Sequence, residues 1–276
     1  MRLWLVGQRG RFRDPQTGRR RHQPLLTTRA PESHSPRPLA TYEDLGYRDV
    51  FWSTRRYEDA CDRVALRALL PRHGDRLIEV GAGFGRLADE YTGYREVVLL
   101  DSSEVHVVAA REALAGEARY DVVLGDALAL PYPDGHFDAA VCVRVLHHFP
   151  DPAPLLEELG RVIRPGGVLV LEYANKRNLK SIARRVLDRQ RWSPFDVGSV
   201  AYKPFHYDHA PVEVRRSLRR AHLEVERMRA ASLFRIPLLT RRLPLSLLVS
   251  AESRLQSPLG SITPGPSVFL RARRLG

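Results

Sequence analysis

Residues 79–86 read Glu79-Val80-Gly81-Ala82-Gly83-Phe84-Gly85-Arg86. Alternating glycines let a backbone approach a ligand closely and turn tightly into a helix. A dinucleotide-binding loop would carry its third glycine where Arg86 stands. Here the spacing is G-x-G-x-G, and Glu79 lies two positions before the first glycine. A carboxylate there suits a ligand with a cationic or hydroxylated part better than a bare phosphate. Asp101 can accept both hydroxyls of a ribose, and Ser102 after it can cap the next helix. In Gly125-Asp126-Ala127 the Asp126 carboxylate can accept from an exocyclic amine, while the neighbouring backbone N–H reaches a ring nitrogen. His147 and His148 can take a proton from a weakly nucleophilic group. Alternatively, one of the pair packs or caps the next helix and the other touches the ligand. Glu172, followed by Tyr173, Asn175, Lys176 and Arg177, reads either as a substrate contact or as a solvated strand end.

Those residues are useful only if strands deliver them to one edge. Apolar residues at 61, 64, 65, 68 and 69 recur at helical spacing over 57–70, and Pro71 ends that helix. Short apolar runs at 77–80, 97–101, 120–124, 137–143 and 167–173 predict strands, with helices between them and the clearest over 152–163. Five strands alternating with helices imply a parallel sheet covered on both faces, whose ligands bind beyond the carboxyl ends of the strands. Glu79, Gly81, Asp101, Asp126, His147 and Glu172 all stand at such ends.

In this order the motifs resemble the class I S-adenosylmethionine-dependent methyltransferases, in particular their type 11 small-molecule branch. The resemblance covers residues 57–173 and rests on the glycine motif, Asp101, Gly125-Asp126-Ala127, Phe137-Asp138, Leu146-His147-His148 and the run from Arg161 to Gly167. It implies S-adenosylmethionine as cofactor, with Gly81, Ala82, Gly83 and Gly85 along its methionine and adenosine portions. Asp101 with Ser102 would hold the ribose, and Asp126 with Ala127 the adenine. Val143 would line the cofactor, and Glu79 would order the loop and face the cofactor's ammonium. His147, His148 and Glu172 become the catalytic candidates, and no metal is expected. The implied fold is a Rossmann-like seven-stranded, mostly parallel sheet with one antiparallel strand, helices on both faces and a C-terminal cap insertion. Alternating stretches at 223–229 and 267–273 fit its last two strands. Extra segments at about 174–205 and 231–265 are expected to cap the cleft. Residues 41–276 would then form the methyltransferase domain.

Composition narrows the alternatives. Of 276 residues, 43% are hydrophobic, enough for a sizeable core. The longest apolar stretch, 236–250, is interrupted by Arg241, Arg242 and two prolines, so no membrane span is expected. Two cysteines are too few for a disulfide scaffold or a cysteine-based zinc site, and a reducing cytoplasm is the simplest setting. The net charge of +12 is uneven: +7 over 1–40, −9 over 41–173 and +14 over 174–276. Residues 1–40, with Arg19-Arg20-Arg21 and five prolines, read as a basic disordered tail. A small-molecule or lipid-like acceptor, with anionic character permitted by the basic flank, is the first expectation. A nucleic-acid methyltransferase is an alternative, although Val143-Arg144-Val145-Leu146 stands where an amino-methylating enzyme carries N-P-P-Y or D-P-P-Y. A non-catalytic cofactor-binding regulator is another. His206, Tyr207 and His209 could enter the pocket from the cap, or form a polar loop. Trp52, Arg56 and Tyr57 could close over the cofactor, or anchor the first helix.

Overall fold

β1 (Gly74–Val80) ends in four consecutive buried residues, the pattern of a strand covered on both faces. In the computed structural model, which describes Trp52 and residues 54–276, it is an inner strand of a seven-stranded sheet. The other strands are β2 (Tyr94–Asp101), β3 (Tyr120–Leu124), β4 (Phe137–Cys142), β5 (Ile163–Ala174), β8 (Leu223–Ala231) and β9 (Ser267–Arg274), in the order β3-β2-β1-β4-β5-β9-β8. β1 to β5 pair in parallel; β9 runs antiparallel between β5 and β8. The expected Rossmann-like sheet with one antiparallel strand is therefore present. A separate hairpin joins β6 (Val200–Lys203) to β7 (His206–Asp208).

Alternate residues of each strand enter opposite cores. Ile78, Val80, Ala140, Cys142, Leu169 and Leu171 pack with α3 (Ala153–Val162) and α5 (Pro211–Arg220). Leu77, Leu99, Val141 and Val170 pack on the other face with α1 (Arg56–Leu69) and α2 (Glu104–Ala113). Three further helices, α4 (Leu179–Val186), α6 (Pro237–Arg242) and α7 (Leu245–Leu255), belong to the segments 174–205 and 231–265.

Three details differ from the sequence reading. Helices were expected in every crossover, yet β1 to β2 holds only a 3-10 turn, Ala88–Tyr91. The glycine loop consumes the first residues of that connection, and Gly93 ends it where a Cβ would collide with the Arg72 carbonyl. β3 to β4 has no helix at all. Arg161 supplies its order instead, donating to the Leu130 and Tyr132 carbonyls and to Asp134 while pairing with Glu158. The cap of α2 is Ser103, not Ser102: the Ser103 hydroxyl accepts from the His106 N–H, and Ser102 is exposed. The expected tail, 1–40, lies outside the described residues. Among the described residues no helix is long and apolar enough to cross a membrane.

Candidate active site

The glycine loop turns on three left-handed residues, Gly81 (φ 75°), Gly83 (φ 57°) and Gly85 (φ 78°), which L side chains rarely adopt. The N–H groups of Gly81 and Ala82 donate to the Leu100 carbonyl at 2.8 and 3.1 Å, closing the loop against the end of β2. A Cβ on Gly81 would lie 2.1 Å from Val145 Cγ2, so the loop sits directly on the exit of β4. Gly83 faces open space, with no atom within 4 Å of its Cβ direction.

Asp101 binds this loop to its neighbours. Its Oδ2 accepts from the Gly83 N–H at 2.7 Å, its Oδ1 from the Ser103 N–H at 2.9 Å, and its carbonyl from the Gly125 N–H at 2.9 Å. The carboxylate is thereby held in place with lone pairs left over. Asp126 is exposed on the third loop; its Oδ1 accepts from the Leu128 N–H at 2.8 Å, and Ala127 packs against the core. Beneath the loop Glu79 is almost fully buried, and its Oε2 has no hydrogen-bond partner. Burial raises its carboxyl to about 8, opposed first by the nearby Tyr91 hydroxyl and then by Arg86. Val143 is buried at the end of β4.

Arg144 follows with φ 60°, an unfavourable conformation for a side-chain-bearing residue. Two contacts hold it there. Its N–H donates to Glu172 Oε2 at 3.0 Å, and its guanidinium clasps Asp62 with bonds of 2.8 and 3.0 Å. Arg86 also donates to Asp62 at 3.1 Å and pairs with Asp59, while Trp52 lies over the guanidinium groups of Arg86 and Arg144. Glu172 is buried and its Oε1 accepts from the Ser267 hydroxyl. Both of its oxygens thus serve the frame at the exit of β4.

His147 and His148 occupy a 3-10 turn, Leu146–His148, and are half-buried. The β6–β7 hairpin brings His206 against them: ring centroids are 4.0 Å apart for His147 and His148, and 4.3 Å for His147 and His206. His148 Nδ1 lies 3.2 Å from the Phe205 carbonyl. Burial, followed by the neighbouring imidazoles, holds His147 well below the ordinary histidine range. Burial lowers His206 to about 4 and raises Asp208 to about 6; the two side chains stand 3.7 Å apart. His209 is fully buried, with Nε2 donating to the Leu146 carbonyl at 3.0 Å and Nδ1 2.8 Å from the Ser199 hydroxyl. It pins the hairpin to the turn that carries His147. Tyr57 anchors the other extra segment, donating to Glu252 of α7 and accepting from the Phe234 N–H.

The sequence reading therefore named the loop carboxylates and the His147–His148 pair but missed the Asp62–Arg86–Arg144 cluster. One available signal was an aspartate beside Cys61 on the otherwise apolar side of α1. For His206 the sequence left open a pocket residue or a polar loop, because only the hairpin brings it to the turn. A shallow cleft of about 260 Å³ lies at the opposite, amino end of the strands. It is lined by charges already paired with one another, Arg164 with Asp138 and Arg76 with Glu96, and offers no comparable chemistry.

The region from β1 to β5 also resembles known proteins. Residues 78–171 match the family model described as a methyltransferase domain. The chain is 31% identical over 163 residues to a ubiquinone biosynthesis O-methyltransferase of Thiobacillus denitrificans, covering 57% of this chain and 68% of that one. It is 37% identical over 122 residues to the 27-O-demethylrifamycin SV methyltransferase of Amycolatopsis mediterranei, covering 41% and 45%. For several relatives the aligned stretch spans less than half of their length, 41 to 47%. Among solved structures, an S-adenosylmethionine-dependent methyltransferase from Thermotoga maritima superposes with a TM-score of 0.57 at 22% identity, covering 83% of this chain and 98% of that one.

Proposed function

We infer the function from one premise: the chain belongs to the class I S-adenosylmethionine-dependent methyltransferases. The inferred reaction is methyl transfer to a small-molecule or lipid-like acceptor, with release of S-adenosylhomocysteine. When bound, the cofactor supplies an electrophilic methyl group on a sulfonium. The residues present fit that cofactor. Gly83 opens onto free space, Asp101 is held by two backbone N–H groups, and an unpartnered carboxylate oxygen of Glu79 waits under the loop. In this reading Gly81, Ala82, Gly83 and Gly85 cradle the methionine and adenosine portions, with Val143 beside them. Asp101 and Ser102 hold the ribose, Asp126 and Ala127 the adenine, and Glu79 balances the cofactor's positive charge.

The acceptor end is built by His147, His148 and His206. Burial keeps these imidazoles unprotonated at neutral pH, so a ring nitrogen can accept a hydrogen bond from an acceptor hydroxyl and take its proton as methyl transfer makes that hydroxyl acidic. Glu172 has no part in the proposed proton transfer, since Arg144 and Ser267 occupy its oxygens. Relatives named for ubiquinone and rifamycin chemistry support a small or lipid-like acceptor. Segments 174–205 and 231–265 would shape that acceptor's pocket around the core 57–173. A cytoplasmic setting, in which Cys61 and Cys142 stay free thiols, belongs to the same reading.

The observation that carries the proposal is the Asp101 carboxylate bound to the Gly83 N–H beside an open glycine loop. Calorimetric titration tests it, with wild type, Asp101→Ala and Asp101→Asn challenged by S-adenosylmethionine and by NAD. Binding of S-adenosylmethionine but not NAD is expected, weakened about tenfold or more in both variants. A folded protein that ignores S-adenosylmethionine, or variants that bind it as wild type does, would overturn the assignment.

A further inference from the structure

Helix α4 is packed inside out. Leu179, Ala183, Val186 and Leu187 recur at i, i+4, i+7 and i+8, the spacing of a single helical face. Such a stripe ordinarily turns inward. Here Leu179 is 62% exposed, Val186 79% and Leu187 62%, and the buried residue of α4 is the polar Ser181 on the other side. The helix is nevertheless fastened at its start. Asn178 accepts from the Ser181 N–H, the Leu179 N–H donates to the Pro264 carbonyl, and Asn175 donates to the carbonyls of Thr263 and Gly265. An exposed isoleucine, Ile262, lies beside that anchor, and exposed Phe195 and Val197 follow the helix in sequence.

Cations flank this apolar stripe. Lys180, Arg184 and Arg185 lie off the stripe on α4, and Arg189 and Arg191 come directly after it. Segment 174–205 holds eight Lys and Arg against two acids, Asp188 and Asp196. Segment 231–265 repeats the chemistry: α6 buries no residue, and Ile236, Leu238, Leu243 and Leu247 are exposed together with Arg241 and Arg242. Of the residues 231–265 only Glu252 is acidic, and it is buried.

We propose that α4, assisted by α6, seats this protein on the surface of an anionic lipid bilayer. The apolar stripe would enter the headgroup–acyl boundary while the guanidinium groups engage lipid phosphates. Charge selects this occupant. A second copy docking by the same face would set cation against cation, because a two-fold interface repeats one patch on itself. Bilayer docking does not depend on methyl transfer and can be tested without it.

The test is flotation of the full chain with vesicles of neutral phosphatidylcholine, alone or with about 30% phosphatidylglycerol. Partition onto the anionic vesicles is expected, roughly tenfold or more above neutral ones, and falling as salt rises. Arg184→Gln/Arg185→Gln should weaken it by about fivefold per arginine, and Val186→Ser/Leu187→Ser to a similar extent. Arg185, Val186 and Leu187 are exposed and Arg184 is half-buried, so unchanged thermal transitions will show that the variants are folded. Equal or absent partition onto both vesicle types, or variants that bind as wild type does, would overturn the proposal. So would a self-associating protein that Val186→Ser/Leu187→Ser renders monomeric while vesicles recruit neither form.

Discussion

At Gly81 two independent constraints exclude every other residue. The backbone is left-handed, and a Cβ would meet Val145 at 2.1 Å. Gly81→Ala is expected to destabilise the fold by about 2–3 kcal/mol in urea titrations and to weaken cofactor binding about tenfold or more. Adding Val145→Ala removes the clash but not the φ strain, so it should restore only part of the loss. Glu79 makes a prediction with a definite sign. Its folded carboxyl, raised to about 8 by burial, holds a proton that the unfolded chain releases near 4.3. Its contribution is complete below that unfolded value and is lost as pH rises through about 8. Glu79→Gln should therefore flatten the decline in stability of the ligand-free protein between pH 5 and 8, read from urea midpoints across that range. A variant as steep as wild type would mean that other groups set the slope.

At the level of elements, the site depends on loops ordered by single side chains. Arg161 stands in α3 yet holds the β3–β4 connection through the carbonyls of Leu130 and Tyr132. Arg161→Ala should increase amide hydrogen exchange across residues 125–136 and weaken S-adenosylmethionine binding by several-fold, with less effect on the β1 and β2 amides. The β6–β7 hairpin carries the acid sensitivity. His206, lowered to about 4, refuses a proton that the unfolded chain accepts near 6.5. Stability from this group is present above 6.5 and is lost as pH falls toward 4. Asp208, raised to about 6, acts in the opposite sense and loses its contribution as pH rises through that value. His206→Gln should accordingly flatten the acid limb of a pH series of urea midpoints, and Asp208→Asn should steepen stability loss on acidification.

Across the whole molecule one chain of polar contacts crosses the carboxyl edge of the sheet. It runs from Arg86 through Asp62 of α1 and Arg144 to Glu172 of β5 and Ser267 of β9. Asp62 is fully buried between two guanidinium groups; Arg86 also pairs with Asp59, so removing Asp62 strips the counter-charge chiefly from Arg144. Asp62→Ala is expected to cost about 3–5 kcal/mol and to lower Tm by on the order of 10 °C in calorimetry. Both the glycine loop and the β4 exit should loosen with it. The same chain explains why Glu172, which looks catalytic at the end of a strand, is part of the frame.

Much of this was legible in the residues alone. Strands buried on both faces must be continuous apolar runs, so 77–80, 97–101 and 137–143 announced the sheet, and the glycine spacing with Asp101 and Asp126 marked the edge where the cofactor is proposed to bind. Ser102 was displaced as helix cap by its neighbour because capping depends on a one-residue choice of where the helix starts. The long-range polar pairings were not legible. Arg144 and Asp62 lie 82 residues apart, and neither arginine nor histidine carries a periodic signature of its partner. The approach of His206 to His147 and the two bonds that occupy Glu172 likewise exist only once the hairpin and β9 are in place. The stripe of α4 had the spacing of a buried face in the sequence, but spacing states only that apolar residues share a side. What lies on that side is decided by the elements around it, and here the fold put Ser181 inward and left the leucines outside.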